Sequence, residues 1–183
     1  MKNILFIVGS LRKQSFNRQL AAMAEKMLSN RYKINYLSFE DVPLMNQDLE
    51  AATPVAVSRV RKEVLAADGI WIFTPEYNFS YPGLLKNLFD WLSRPMDISN
   101  FTNPSAVVGK KVTASGAGGN NQTASCRAKL NELLEFIKMD VMKEPQTGIA
   151  LGVEAWTKGE FNLTEEQIAQ LKGQAERFAE FVG

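Results

Sequence analysis

Short apolar runs and stretches of helical spacing take turns along the chain. Asn3–Val8 carries Ile4, Leu5, Phe6, Ile7 and Val8 in an unbroken row and stops at Gly9, the pattern of a strand buried on both faces. From Asn17 to Ser29, Leu20, Met23, Ala24, Met27 and Leu28 recur at helical intervals. Lys33–Phe39 reads as a second strand. Thr53-Pro54 reads as an N-cap followed by proline at the first helical position, with Val57, Val60 and Val64 on one face of that helix. Gly69–Thr74 is a third, strongly apolar strand, and Leu84–Ser93 a helix. Ser105–Ser115 is expected to contain the fourth strand. Gln122–Lys138 places Cys126, Leu130, Leu133, Leu134 and Ile137 on one helical face, and Val141–Val153, broken by Pro145 and Gly148, is expected to hold the fifth strand. Thr164 with Gln167 forms a capping box ahead of a stripe of Ile168, Leu171, Ala175, Phe178 and Val182.

Strand then helix, repeated about five times, implies a parallel sheet covered on both faces: a three-layer α/β/α sandwich. At 183 residues the chain is expected to form a single domain over 1–183. A flavodoxin-like five-stranded sheet of order 2-1-3-4-5 makes strands one, three and four neighbours. Ligands of open α/β sheets bind beyond the strand C-termini where the order reverses, so the loops after these three strands would line one crevice.

Composition narrows the chemistry. There is no histidine, which excludes Ser-His-Asp and Cys-His machinery and imidazole metal ligands. The single cysteine excludes an internal disulfide and a cysteine-rich metal cage; no metal is expected. Cys126 falls on an apolar stripe and reads as a core residue. Lys+Arg of 21 against Asp+Glu of 20 leaves no basic footprint for nucleic acid or a membrane surface. The opening apolar run is too short for a membrane span or signal peptide, so a cytoplasmic protein is expected.

The three loops carry the candidate site. The first runs from Gly9 to Asn17 and matches neither the Walker nor the dinucleotide glycine pattern. Ser10 and Ser15 offer hydroxyls, Arg12 a delocalised cation, and the helix opening near Asn17 offers unpaired N–H groups, all suited to a phosphate monoester. The plainer alternative is that Ser15 or Asn17 only caps a helix. The second loop, Thr74–Gly83, sets Tyr77, Phe79 and Tyr81 between two prolines, suiting a planar heteroaromatic ligand whose edge is read by backbone groups. Its aromatics are expected to divide between ligand and packing on the core or a second subunit. Glu76 is expected to cap or brace a loop rather than move protons. The third loop, Ala114–Asn121, is rich in glycine, which permits close backbone approach and φ > 0. Trp71 reads as core, and Trp91 as core or a subunit contact.

Gly-Ser-Leu-Arg-x-x-Ser-Phe-Asn, Thr-Pro-Glu-Tyr-Asn-x-Ser-x-Pro-Gly and Lys-Asn-x-x-Asp-Trp-Leu-Ser-Arg together resemble the NADPH-dependent FMN reductase family, which includes flavodoxin-like chromate/quinone reductases and azoreductases. The resemblance covers essentially the whole chain. It implies that Ser10, Arg12, Ser15, Phe16 and Asn17 belong to an FMN phosphate loop. It implies that Pro75, Glu76, Tyr77 and Asn78 contact the isoalloxazine, and that Ser115, Gly116, Gly118 and Gly119 flank it. It further implies hydride transfer from NADPH or NADH through the flavin N5 to a small-molecule acceptor such as a quinone, azo compound, chromate or free flavin. No protein side chain acts as acid or base in that scheme, and a homodimer or homotetramer is implied. The rival readings are a flavodoxin-type electron carrier, a non-redox nucleotide-binding module and, last, a receiver-type domain. No separate 2′-phosphate clamp stands out, although Arg12, Lys13 and Arg18 lie near enough to contribute.

Overall fold

The computed structural model describes every residue from Met1 to Gly183. Its elements are β1 (Lys2–Val8), α1 (Phe16–Leu28), β2 (Tyr32–Tyr36), α2 (Val55–Ala66), β3 (Gly69–Phe73), α3 (Gly83–Leu92), β4 (Lys111–Gly118), α4 (Ala124–Phe136), β5 (Asp140–Val141), β6 (Gly148–Ala150), α5 (Val153–Lys158) and α6 (Glu165–Val182). All strand pairings are parallel, in the order β2-β1-β3-β4-β5. This is the flavodoxin-like order expected of the sheet.

The sheet's two faces separate the core into two halves by the period-2 rule. Ile4, Phe6, Val8, Trp71 and Phe73 point toward α1 and α6. Leu5, Ile7, Ile70 and Ile72 point toward the apolar stripes of α2, α3 and α4. Trp71 is fully buried against Phe73, with ring centroids 5.3 Å apart. Trp91 is also fully buried and donates from Nε1 to Pro43 O at 2.8 Å, so it belongs to the core and not to a subunit contact. The capping box at Thr164 and Gln167 forms as expected.

Several boundaries differ from the sequence reading. The fifth strand is two short pieces: β5 pairs with Lys111 and Val112, β6 with Gly116–Gly118. Pro145 lies between them and has no N–H for a ladder. The stretch of β4 left without a strand partner is served by Gln174 of α6. Gln174 Nε2 donates to Thr113 Oγ1 at 2.9 Å and Ala114 O at 3.0 Å, while its Oε1 accepts from Ser115 Oγ at 2.7 Å and Thr147 N at 2.6 Å. The fourth strand extends to Gly118, so the first half of the expected third loop is strand. Thr53 does not cap α2; Pro54 holds that position without a side-chain bond, and Thr53 Oγ1 donates to Glu50 O. The short helix α5 had no apolar periodicity to announce it.

Candidate active site

Because β1, β3 and β4 are adjacent and parallel, the loops leaving their C-terminal ends meet at one edge of the molecule. The chain departs from β1 toward β2 on one side, with β3 on the other, so the crevice opens at the reversal of strand order.

The first loop is anchored by Gly9 N, which donates to Phe73 O at 2.8 Å. A side chain at Gly9 would place its Cβ 2.7 Å from Leu85 Cδ1, so any larger residue there would have to displace the buried Leu85. None of the N–H groups of Ser10–Gln14 donates to a backbone carbonyl. They adjoin the N-terminus of α1, whose first N–H groups lack intrahelical partners, a combination suited to an anion. Ser15 does cap α1, its Oγ accepting from Arg18 N at 3.3 Å, and this leaves the hydroxyl proton free to donate outward. The Arg12 guanidinium lies 4.8 Å over the Phe16 ring, which is itself buried against Phe161. Ser15 N donates to Arg12 O at 3.0 Å, so Arg12 and Ser15 share one turn of the loop, and Ser10 and Arg12 line the same cleft. Asn17 is engaged elsewhere: its Nδ2 donates to Ala117 O at 3.1 Å and its Oδ1 accepts from Ala117 N at 2.8 Å. Its side chain ties loop one to β4.

The second loop closes on itself through paired bonds between Tyr77 and Ser80, of 2.9 and 3.0 Å. The two turn residues, Asn78 (φ 53°) and Phe79 (φ 58°), are both left-handed, as in a type I′ hairpin turn. Asparagine takes this conformation readily; a phenylalanine seldom does. The three aromatics differ in exposure. Tyr81 packs on the α2/α3 face of the core, whereas Tyr77 and Phe79 stand 55% and 67% exposed. Pro75 presents its carbonyl inward, accepting from Thr74 Oγ1 at 2.8 Å and Cys126 Sγ at 3.4 Å.

Glu76 is a brace. One carboxylate oxygen accepts from Cys126 N at 2.8 Å, the other from Asn121 Nδ2. Helix α4 needs this help because Thr123, at its N-cap, is left-handed and makes no side-chain cap. A carboxylate at a helix N-terminus is also favoured by the helix dipole. Asn121 ends the third loop of the sequence reading but carried no role there; its contact with Glu76 supplies one.

The third loop corrects that reading most. Ser115 is fully buried, accepting from Trp71 Nε1 at 3.0 Å and donating to Gln174, so its side chain faces the core. Gly116 and Gly118 belong to β4 and have no positive φ; they are small because Thr123 crowds them. A Cβ on Gly116 would meet Thr123 Oγ1 at 2.2 Å and Thr74 O at 2.5 Å, and one on Gly118 would meet Thr123 Cγ2 at 2.8 Å. The left-handed backbone expected of the glycines sits instead at Gln122 (φ 54°) and Thr123 (φ 59°). Only Gly119 lies beyond the strand with open space around it. Cys126 is buried, and burial pushes its thiol up from 9.0 to about 11, so it is no nucleophile.

Fold and loops together define a flavodoxin-like α/β protein with a ligand crevice at its strand ends. The chain belongs to the NADPH-dependent FMN reductase family, whose model matches residues 2–154. It is 32% identical over 182 residues to a quinone reductase of Pseudomonas putida and 33% identical over 184 residues to one of Escherichia coli; in both cases 98% of this chain aligns with 94% of the relative. The solved flavoenzyme NAD(P)H:(acceptor) oxidoreductase of Paracoccus denitrificans superposes with a TM-score of 0.86 at 30% identity, covering 100% of this chain and 97% of that one. The protein is accordingly an FMN-dependent NAD(P)H oxidoreductase, and the electron-carrier reading is not favoured. The loops fit such a cofactor: a run of unpartnered N–H groups over a helix N-terminus suits its phosphate, and a rigid backbone hairpin suits a flat ring.

Proposed function

We propose that this chain, a single domain over residues 1–183, reduces quinones to hydroquinones at the expense of NAD(P)H. The observation that carries the reading is the unpartnered N–H run of Ser10–Gln14, set at the reversal of strand order beside the Tyr77–Ser80 hairpin. The quinone reductases among the relatives, at 32–33% identity over nearly the full length, support the choice of acceptor over azo compounds, chromate or free flavin.

FMN, when bound, supplies the centre that accepts and returns hydride. The protein's own residues bind and orient. Ser10, Arg12, Ser15 and the loop-one N–H groups hold the phosphate; Pro75 and Tyr77 set the second loop against the ring, where the Asn78 N–H, without a partner in the chain, reads its edge; Gly119 leaves room beside it. Phe16 supports Arg12, while Asn17 and Glu76 hold the three loops at fixed separation. Reduction of a quinone takes one hydride and one proton, and solvent at the open crevice supplies the proton. The protein is cytoplasmic in this reading, with no helix long and apolar enough to cross a membrane. It assembles as a homodimer or homotetramer that brings each crevice near a subunit interface, which light scattering would measure directly.

The test is steady-state NADPH consumption by FMN-loaded protein with a benzoquinone, an azo dye, chromate or free FMN as acceptor. The quinone is expected to give the highest kcat/KM. Turnover with free FMN alone would replace this reading with a flavin reductase.

A further inference from the structure

On the β2 side of the first loop lies a second cleft, of about 370 Å³, between that loop and the segment following β2. This volume is within the range of small-ligand pockets, about 300–1,000 Å³. Its wall brings together Arg12, Lys13 and Arg18 with Tyr36 and Phe39, and one carboxylate, Glu40. The chain as a whole carries a net charge of only +1, yet this cleft concentrates three cations against one anion.

None of the three cations makes a salt bridge: the ion pairs of the protein involve Arg59, Lys86, Arg94, Lys143, Lys172 and Arg177. Both guanidiniums are instead laid on rings, Arg12 over Phe16 at 4.8 Å and Arg18 over Tyr36 at 5.2 Å. Tyr36 is itself fixed by donating its hydroxyl to Glu25 Oε2 at 2.8 Å. Stacking restrains a guanidinium plane while leaving its N–H fork free for a phosphate. Glu40 is partly spent internally, one oxygen accepting from Ser38 Oγ and Phe39 N.

We propose that this cleft holds the 2′-phosphate and adjoining ribose of NADPH, with Arg18 the specificity-determining residue that favours NADPH over NADH. The assignment rests on the reductase reading above, because it needs a nicotinamide donor at the same strand ends. Lys13 adds a further charge, and Arg12 and Ser10, which line this cleft, join it to the phosphate cradle.

The experiment is titration calorimetry of the FMN-loaded protein with adenosine 2′,5′-bisphosphate and with 5′-AMP, which differ only in the 2′-phosphate. The unaltered protein is expected to bind the bisphosphate about tenfold or more tightly than 5′-AMP, the effect of one to two charge-assisted contacts. Arg18→Gln is expected to erase most of that difference and to lower kcat/KM for NADPH about tenfold, with NADH turnover and FMN affinity unchanged. Equal binding of the two mononucleotides by the unaltered protein overturns the proposal without needing any variant. So does an equal loss with both dinucleotides, which would mark Arg18 as merely structural, or displacement of FMN by the bisphosphate, which would make the cleft part of the FMN seat. Failure of the unaltered protein to oxidise either dinucleotide strikes instead at the reductase reading.

Discussion

Asn17 and Ala117, 100 residues apart, exchange two hydrogen bonds: the Asn17 amide donates to the Ala117 carbonyl and accepts from the Ala117 N–H. A side chain at the start of α1 thereby imitates a strand edge and completes the backbone of β4. Both residues are buried, at 3% and 2% exposure, so neither partner can turn to water instead. Asn17→Ala is expected to leave two buried backbone groups unpaired, each costing about 1–3 kcal/mol. Urea unfolding measures that loss. FMN retention is expected to fall with it, because the first and third loops lose their shared anchor.

Glu76 is expected to matter through its geometry alone. Glu76→Gln keeps an acceptor for Cys126 N but removes the charge at the α4 N-terminus, an effect of about 0.3–1 kcal/mol. Glu76→Ala removes the cap altogether, typically about 1 kcal/mol, and also frees Asn121. Melting temperatures are expected in the order Glu, Gln, Ala. The pH profile of quinone reduction by Glu76→Gln is expected to keep its shape; loss of a limb would instead make Glu76 a proton donor.

From α6, Gln174 serves four polar groups, three in β4 and the N–H of Thr147 just before β6, and has no exposure of its own. Gln174→Leu fills the volume yet leaves Thr147 N–H and Ala114 C=O without partners. Against a total stability of about 5–15 kcal/mol, two such deficits of about 1–3 kcal/mol each are severe. Thermal unfolding is expected to show a large drop in melting temperature, and β6 is expected to lose amide-exchange protection first.

Elements that sequence makes legible are those whose cause is local. Ile4–Val8 and Gly69–Phe73 are apolar on both faces because both faces are buried, and Thr164 meets Gln167 within one turn. The parallel sheet followed from the strand–helix alternation, and its order is the flavodoxin-like one. What stayed hidden depends on distant partners: Asn17 with Ala117, Glu76 with Cys126, Gln174 with Thr113 and Ser115. Ser115, Gly116 and Gly118 read as a glycine-rich loop, since a run of small residues looks the same whether it bends or is crowded. Here Thr123 and Trp71 do the crowding.

Cys126 is expected to resist thiol reagents near neutral pH, since its thiol is buried and its ionisation is pushed up to about 11 by that burial. The folded state holds this proton more tightly than the unfolded chain does. The resulting contribution to stability is complete below pH 9 and is lost as pH rises from 9 toward 11. Cys126→Ala is therefore expected to flatten the decline in stability over that window, which chemical unfolding at several pH values would read.

The crevice at the ends of β1, β3 and β4 is proposed to seat FMN and to bring NADPH to it. The most direct measurement is the visible spectrum of protein incubated with FMN, desalted, and treated anaerobically with NADPH, followed by a benzoquinone. Retained yellow colour that bleaches with NADPH and returns with the quinone is the predicted result. Flavin that stays bound but oxidised under excess NADPH and NADH alike would contradict the account.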